Sequence, residues 1–124
     1  MKLKEQVTNL ELSKKLKELG VEQKSLYCWN EEHKQINSGK IGWEKETKLE
    51  DSNQVANFFA CISAFTVAEL GEDIPSEFLN LIKKDEVGRL RWNIKEYICY
   101  ENTEANSRAK MLIYLIENDL IKVL

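Results

Sequence analysis

Residues 90–117 read Leu90-Arg-Trp-Asn-Ile-Lys-Glu-Tyr-Ile-Cys-Tyr-Glu-Asn-Thr-Glu-Ala-Asn-Ser-Arg-Ala-Lys-Met-Leu-Ile-Tyr-Leu-Ile-Glu117. The hydrophobic period changes partway along. Leu90, Trp92 and Ile94 alternate with Arg91 and Asn93, the spacing of a strand with one buried face. Tyr97 to Tyr100 continues that strand or pairs back on it. From Thr103 the period becomes helical. Ala105, Ala109, Leu112, Ile113 and Ile116 fall at i, i+4, i+7, i+8 and i+11, which draws one stripe down a helix from Glu104 to about Glu117. Thr103 supplies the N-cap, and Glu104 and Arg108 stand one turn apart, in reach of an ion pair. Asn118 or Asp119 ends the helix, with Leu120 and Ile121 folding back.

The same two periods recur upstream. Thr8 and Glu11 match a capping box, with Asn9 as a competing cap, and Leu12, Leu16 and Leu19 form the apolar stripe of a helix starting near Leu10. Gly20 is placed as its left-handed stop, and Val21 folds back on Leu16. Ser25 to Trp29 is short and aromatic, as strands are. Residues 30–54 are polar, with Gly39 and Gly42 as turn signals; Ile41 to Trp43 and Lys45 to Leu49 suit a second, partly exposed strand. Val55 to Ile62 is apolar but too short for periodicity to separate strand from helix. Thr66 and Glu69 form a second capping box, and Phe65 and Leu70 a hydrophobic staple, so a short helix begins at Val67. Gly71 and Pro75 are expected to limit it; Phe78 to Ile82 then reads as a strand and Lys83 to Gly88 as a turn.

Helices and strands without regular βαβ alternation predict an α+β fold. The expected architecture is a small, mainly antiparallel sheet covered by the N-terminal helix and the longer C-terminal helix, with a short middle helix. Leu12, Leu16, Trp92, Ile94, Leu112, Ile113 and Ile116 are the expected core. A chain of 124 residues suits one domain, here residues 1–124, and is long enough to bury a core without metal or disulfide staples.

Composition narrows the function classes. At 43% apolar and 31% charged residues, the chain lies near globular averages, which excludes wholesale disorder. Eighteen basic against 21 acidic residues leave a net charge of −3, and such a chain lacks the general attraction to phosphate of nucleic-acid binders. Cys28, Cys61 and Cys99 are widely spaced among apolar neighbours, with no CxxC pair and His33 as the sole histidine, so no zinc site is expected. Small buried hydrophobes in a reducing compartment are the expected role of these cysteines, with a disulfide as the alternative. The N-terminus lacks the apolar run of a signal peptide, and the longest apolar stretches fall short of the roughly 20 residues of a membrane span. A cytoplasmic protein without a membrane partner is the expectation.

Three segments carry a resemblance: Leu10-Glu-Leu-Ser-Lys-Lys-Leu-Lys-Glu-Leu-Gly-Val21 running on to Trp29, Ser63-Ala-Phe-Thr-Val-Ala-Glu-Leu-Gly71, and Ala105 to Leu120. Together they resemble a group of small uncharacterised proteins encoded by bacteriophages and prophages, over roughly half the chain. The matching words are helix caps and core stripes, which speak to shared fold rather than shared chemistry. The resemblance implies a phage accessory protein; it carries over no activity and no functional residues.

Motifs for catalysis and cofactors are missing. Cys28 and His33 are five apart with no third residue to orient them, no serine sits in a G-x-S-x-G setting, and no phosphate-cradling glycine loop occurs. No catalytic residue, cofactor or metal ligand is therefore assigned. Glu44, Glu46, Glu50 and Asp51, and separately Glu69, Glu72 and Asp73, read as solvated acidic faces. Lys83, Lys84, Arg89 and Arg91 form a modest basic patch near Trp92 and Tyr97, and Trp43 lies between glycine and glutamate in the polar stretch. Trp43, Arg89 and Arg91 are thus the candidate interaction surface. The leading expectation is a non-enzymatic module that binds itself or another protein. The alternatives are a single-stranded nucleic-acid-binding accessory protein and an enzyme with a scattered site.

Overall fold

The computed structural model describes the backbone of residues 2–35, 43–54 and 61–123, and the side chains of these residues except 31–35 and 43–46. Its elements run α1 (Leu3–Gln6), α2 (Leu10–Glu18), β1 (Tyr27–Gln35), β2 (Trp43–Asp51), β3 (Cys61–Ala64), α3 (Val67–Asp73), α4 (Ser76–Leu79), β4 (Lys83–Lys84), β5 (Leu90–Ile94), β6 (Tyr97–Glu101) and α5 (Glu104–Glu117). The class is α+β. The strands divide between two antiparallel sheets, ordered β2-β1-β3 and β4-β5-β6. In the first, β1 pairs with β2 from Tyr27↔Asp51 to Gln35↔Trp43 and with β3 from Tyr27↔Ala64 to Asn30↔Cys61. In the second, β6 turns back on β5 through Lys95 and Glu96, so that Trp92 faces Cys99 and Arg91 faces Tyr100.

The expected helices form where their caps place them, with one exchange. Asn9, not Thr8, caps α2, accepting the Leu12 N–H at 2.9 Å. Thr8 is fully buried and faces elsewhere: its N–H donates to Phe65 O at 2.9 Å, and its Oγ1 accepts the Phe65 N–H at 3.0 Å. Its carbonyl also accepts the Trp29 indole N–H at 2.9 Å. Helix α2 closes on Gly20 at φ 88°, with Val21 N–H on Leu16 O as the folding-back of Val21 requires. Thr66 and Glu69 make both halves of the capping box on α3.

Two local readings are corrected. Gly71 does not stop α3, which runs through it to Asp73, because its bare Cα leaves room for Arg108: an added Cβ would sit 2.4 Å from Arg108 Nη1. Residues 78–82 are not a strand. Pro75, at φ −55°, turns the chain so that its carbonyl accepts the N–H groups of Phe78 and Leu79, and Ser76–Leu79 becomes α4. Lys83–Lys84, inside the expected turn, pairs with β5 as a two-residue edge strand.

The core centres on α5. This helix packs against β5 and β6 and against α2 and α3, while α2 also packs on β3. Flanked in this way, α5 is buried over more than its one expected stripe, with Met111 and Leu115 fully buried beside Ala105, Ala109 and Leu112. Leu16, Leu70 and Trp92 meet them with no exposure, and the Trp92 indole donates to Ser107 O at 3.2 Å. Each such fully buried side chain contributes roughly 1.5–3 kcal/mol. Leu12 and Ile116 lie at the margin of the core, partly buried. No helix among the described residues is long and apolar enough to cross a membrane.

Candidate functional site

Alternation along β5 sends Trp92 and Ile94 inward and Arg91 and Asn93 outward. The two-residue turn at Lys95 and Glu96 fixes the register, which puts Tyr100 beside Arg91 and Ile98 beside Asn93 on the outer face. On the other side Lys83 of β4 pairs with Arg91, so Lys83, Arg91 and Tyr100 stand in one row across three strands. Arg89, just before β5, lays its guanidinium over the Tyr100 ring, 4.4 Å from the centroid, and Arg91 approaches the same ring at 5.9 Å. An exposed cation–π contact of this kind contributes about 0.5–1 kcal/mol. Tyr100 and Ile98 remain 44% and 47% exposed, large for side chains on a strand with a buried face.

Arg89 is held from behind. Its Nε donates to Asp85 Oδ2 at 3.0 Å, while Asp85 Oδ1 accepts the N–H groups of Val87 and Arg89. Burial acts to raise the Asp85 carboxyl, but the Arg89 backbone N–H, the Arg89 guanidinium and the Val87 N–H outweigh it and hold Asp85 below the ordinary carboxylate range. The tight turn closes at Gly88, φ 86°.

The structure brings Arg89 and Arg91 together, as the charge pattern suggested, but gives them a different aromatic. Trp92 lies on the opposite face in the core, and Tyr97 stacks on Tyr114 at 4.9 Å. Tyr100 is the residue that sequence reasoning missed. A two-residue turn at Lys95–Glu96 would have placed it opposite Arg91. The side chains of Trp43, His33, Glu44 and Glu46 lie outside the described residues. Cys28 is buried in β1. Burial and the Cys28 thiol together push the Cys61 thiol up to about 12, and burial raises Cys99.

A cleft of about 500 Å³ opens between the α2–β1 connection, α3 and α5. Phe65, Leu112 and Ile116 are among its apolar lining; Glu22, Glu72 and Asp73 bring carboxylates to it. Glu69 also lines it but is engaged, its two oxygens accepting the Thr66 and Leu26 N–H groups. Burial, then the neighbouring Glu72 and Glu22, raise the Asp73 carboxyl above its ordinary value. No group of three or more potential metal-ligating side chains gathers among the described residues. Comparison with known proteins finds no family model, no curated protein and no solved structure that matches this chain.

Proposed function

We propose that this protein is a non-enzymatic interaction module, an accessory protein of the kind the phage resemblance implies, which docks an acidic segment of a partner protein on the outer face of the β4-β5-β6 sheet. The observation that carries this reading is the Tyr100 ring, covered by Arg89, approached by Arg91 and flanked by exposed Ile98. Tyr and Arg anchors are the side chains from which interfaces draw most of their binding energy. Both lose little freedom here on binding, because the ring and the guanidinium already hold each other. With Lys83 in the same row, the face is cationic, which selects an acidic partner.

The same details weigh against nucleic acid. Base stacking needs an open ring, and one face of Tyr100 is taken by Arg89. Lys83, Arg89 and Arg91 match a short acidic segment, not the continuous phosphate line of a nucleic-acid strand.

Selection from a random peptide display library tests the reading, using the native protein beside an Arg89→Glu, Arg91→Glu variant. Aspartate- and glutamate-rich peptides are expected to be enriched on the native protein alone, with affinities that fall as salt rises. No enrichment, or equal enrichment on both proteins, would overturn the proposal. Tighter binding of a thymidine oligonucleotide than of any selected peptide, lost in the same variant, would replace it with the nucleic-acid reading.

A further inference from the structure

Resting on the docking reading, we propose that the acidic segment runs as an added strand along the open edge of β6, extended and antiparallel to it. The hairpin's own bonding assigns that edge. Arg89 O accepts the Asp85 N–H, and the Lys83↔Arg91 pairing continues the same ladder, so Arg89, Arg91 and Asn93 turn their backbone groups toward the β4 side. Tyr100 stands opposite Arg91, and Ile98 opposite Asn93. Directly opposed residues of an antiparallel pair exchange both hydrogen bonds or neither. Tyr100 and Ile98 therefore direct their N–H and C=O groups away from β5. Strand β6 ends the sheet order, and no described strand pairs with it on that side.

The sheet guards one edge and leaves the other open. Strand β4 is two residues long and both are lysine, the short charged form that discourages a further strand. Strand β6 is Tyr-Ile-Cys-Tyr-Glu, unbroken in register, with no proline or lysine. Its outward-bonding residues, Ile98 and Tyr100, also carry the exposed side chains of the candidate surface. An extended segment gains main-chain hydrogen bonds at the edge and side-chain contacts on the outer face together. Charge chooses the segment. An added strand lies roughly 4.8 Å from β6. Arg89 and Arg91 hold their guanidinium groups to the Tyr100 ring, in reach of a carboxylate beside it, and Arg91 forms no ion pair among the described residues. Ile98 offers an apolar neighbour two residues along. Arg89 lies on the side of Tyr100 away from Ile98, so the matching pattern reads acidic-x-acidic-x-apolar. A second β6 would instead bring its own arginines to the same edge, like charge against like.

Two end-capped peptides of one composition test this: Thr-Glu-Thr-Glu-Thr-Val-Thr and its isomer Thr-Glu-Glu-Thr-Thr-Val-Thr. Each is titrated into the ¹⁵N-labelled full chain, and amide hydrogen exchange is followed at saturation. The alternating peptide is expected to bind about tenfold tighter, because the isomer turns one carboxylate to the wrong face. Exchange of the Ile98 and Tyr100 N–H groups is expected to slow about tenfold or more, with Cys99, already paired with Trp92, unchanged. Methylating the amide nitrogen of the second glutamate, which faces β6, is expected to abolish binding. Methylating that of the following threonine, which faces water, should leave affinity within about twofold. Binding of the alternating peptide without protection at Ile98 and Tyr100, equal affinity for the two isomers, or equal loss with either methyl group would each overturn the added strand and leave the docking reading standing. Binding of neither peptide would overturn it too, while the docking reading stands or falls by the library selection. Protection of the same amides that grows with protein concentration, without peptide, would give the edge to a second copy and overturn the proposal.

Discussion

Thr8 shows how much one short side chain can hold. Its backbone N–H and hydroxyl both engage Phe65, its hydroxyl also lies 2.7 Å from Ser13 Oγ, and its carbonyl takes the Trp29 indole. All of this occurs with no exposure to solvent, where an orphaned N–H cannot turn to water. Thr8→Val keeps the shape and removes the acceptor from the Phe65 N–H. It is expected to lower unfolding free energy in urea by about 1–3 kcal/mol, whereas Thr8→Ser should stay within about 1 kcal/mol of the native protein. A loss in Thr8→Val no larger than in Thr8→Ser would show that the hydroxyl is not the stabilising group. The sequence around Thr8 matches a capping box so well because the required residue types are the same. What distinguishes the two roles is Phe65, 57 positions away, and no local spacing reports it.

At the level of elements, legibility followed the range of the forces. Helices α3 and α5 and strand β5 were readable because caps, staples and periods act within a turn or two. The division into two sheets was not, since it depends on β3 finding β1 although β2 lies between them in the sequence. Helix α4 escaped because its four residues show no period. The same limit applies to the candidate surface: Arg89 and Arg91 announce themselves by charge, whereas Tyr100 joins them only through the register of the β5–β6 hairpin. Gly71 illustrates the interplay. Within α3 an alanine there should stabilise the helix by about 1 kcal/mol. However, its methyl group would displace Arg108, whose Nη1 donates to Val67 O at 3.0 Å and whose Nη2 donates to Glu104 at 2.9 Å. Gly71→Ala is therefore expected to be near neutral in the native background and to stabilise by about 1 kcal/mol in an Arg108→Met background. Equal effects in both backgrounds, measured by thermal unfolding, would refute the coupling.

For the whole molecule, the three cysteines are built-in reporters of cooperativity. Cys28 and Cys61 belong to the first sheet and Cys99 to the second, and all are at most 7% exposed. We propose that residues 1–124 form one domain, on the ground that α5 packs on the second sheet and also on α2, which in turn packs on the first. Alkylation at increasing urea, resolved by mass spectrometry, should then expose all three thiols with a single free energy of opening. Labelling of Cys99 well before Cys28 and Cys61 would mean that the sheets open separately. The arrangement also bears on synthesis. The amide of Asn9 rests on the side chain of Asn106, and the apolar faces of α2, α3 and β5 are closed by α5. A ribosome adding roughly 5–20 residues per second delivers that helix after every element it covers. Until it emerges, the nascent chain has the second sheet and the inner faces of α2 and α3 uncovered, so the interval before residue 117 leaves the tunnel is when this chain exposes the most apolar surface.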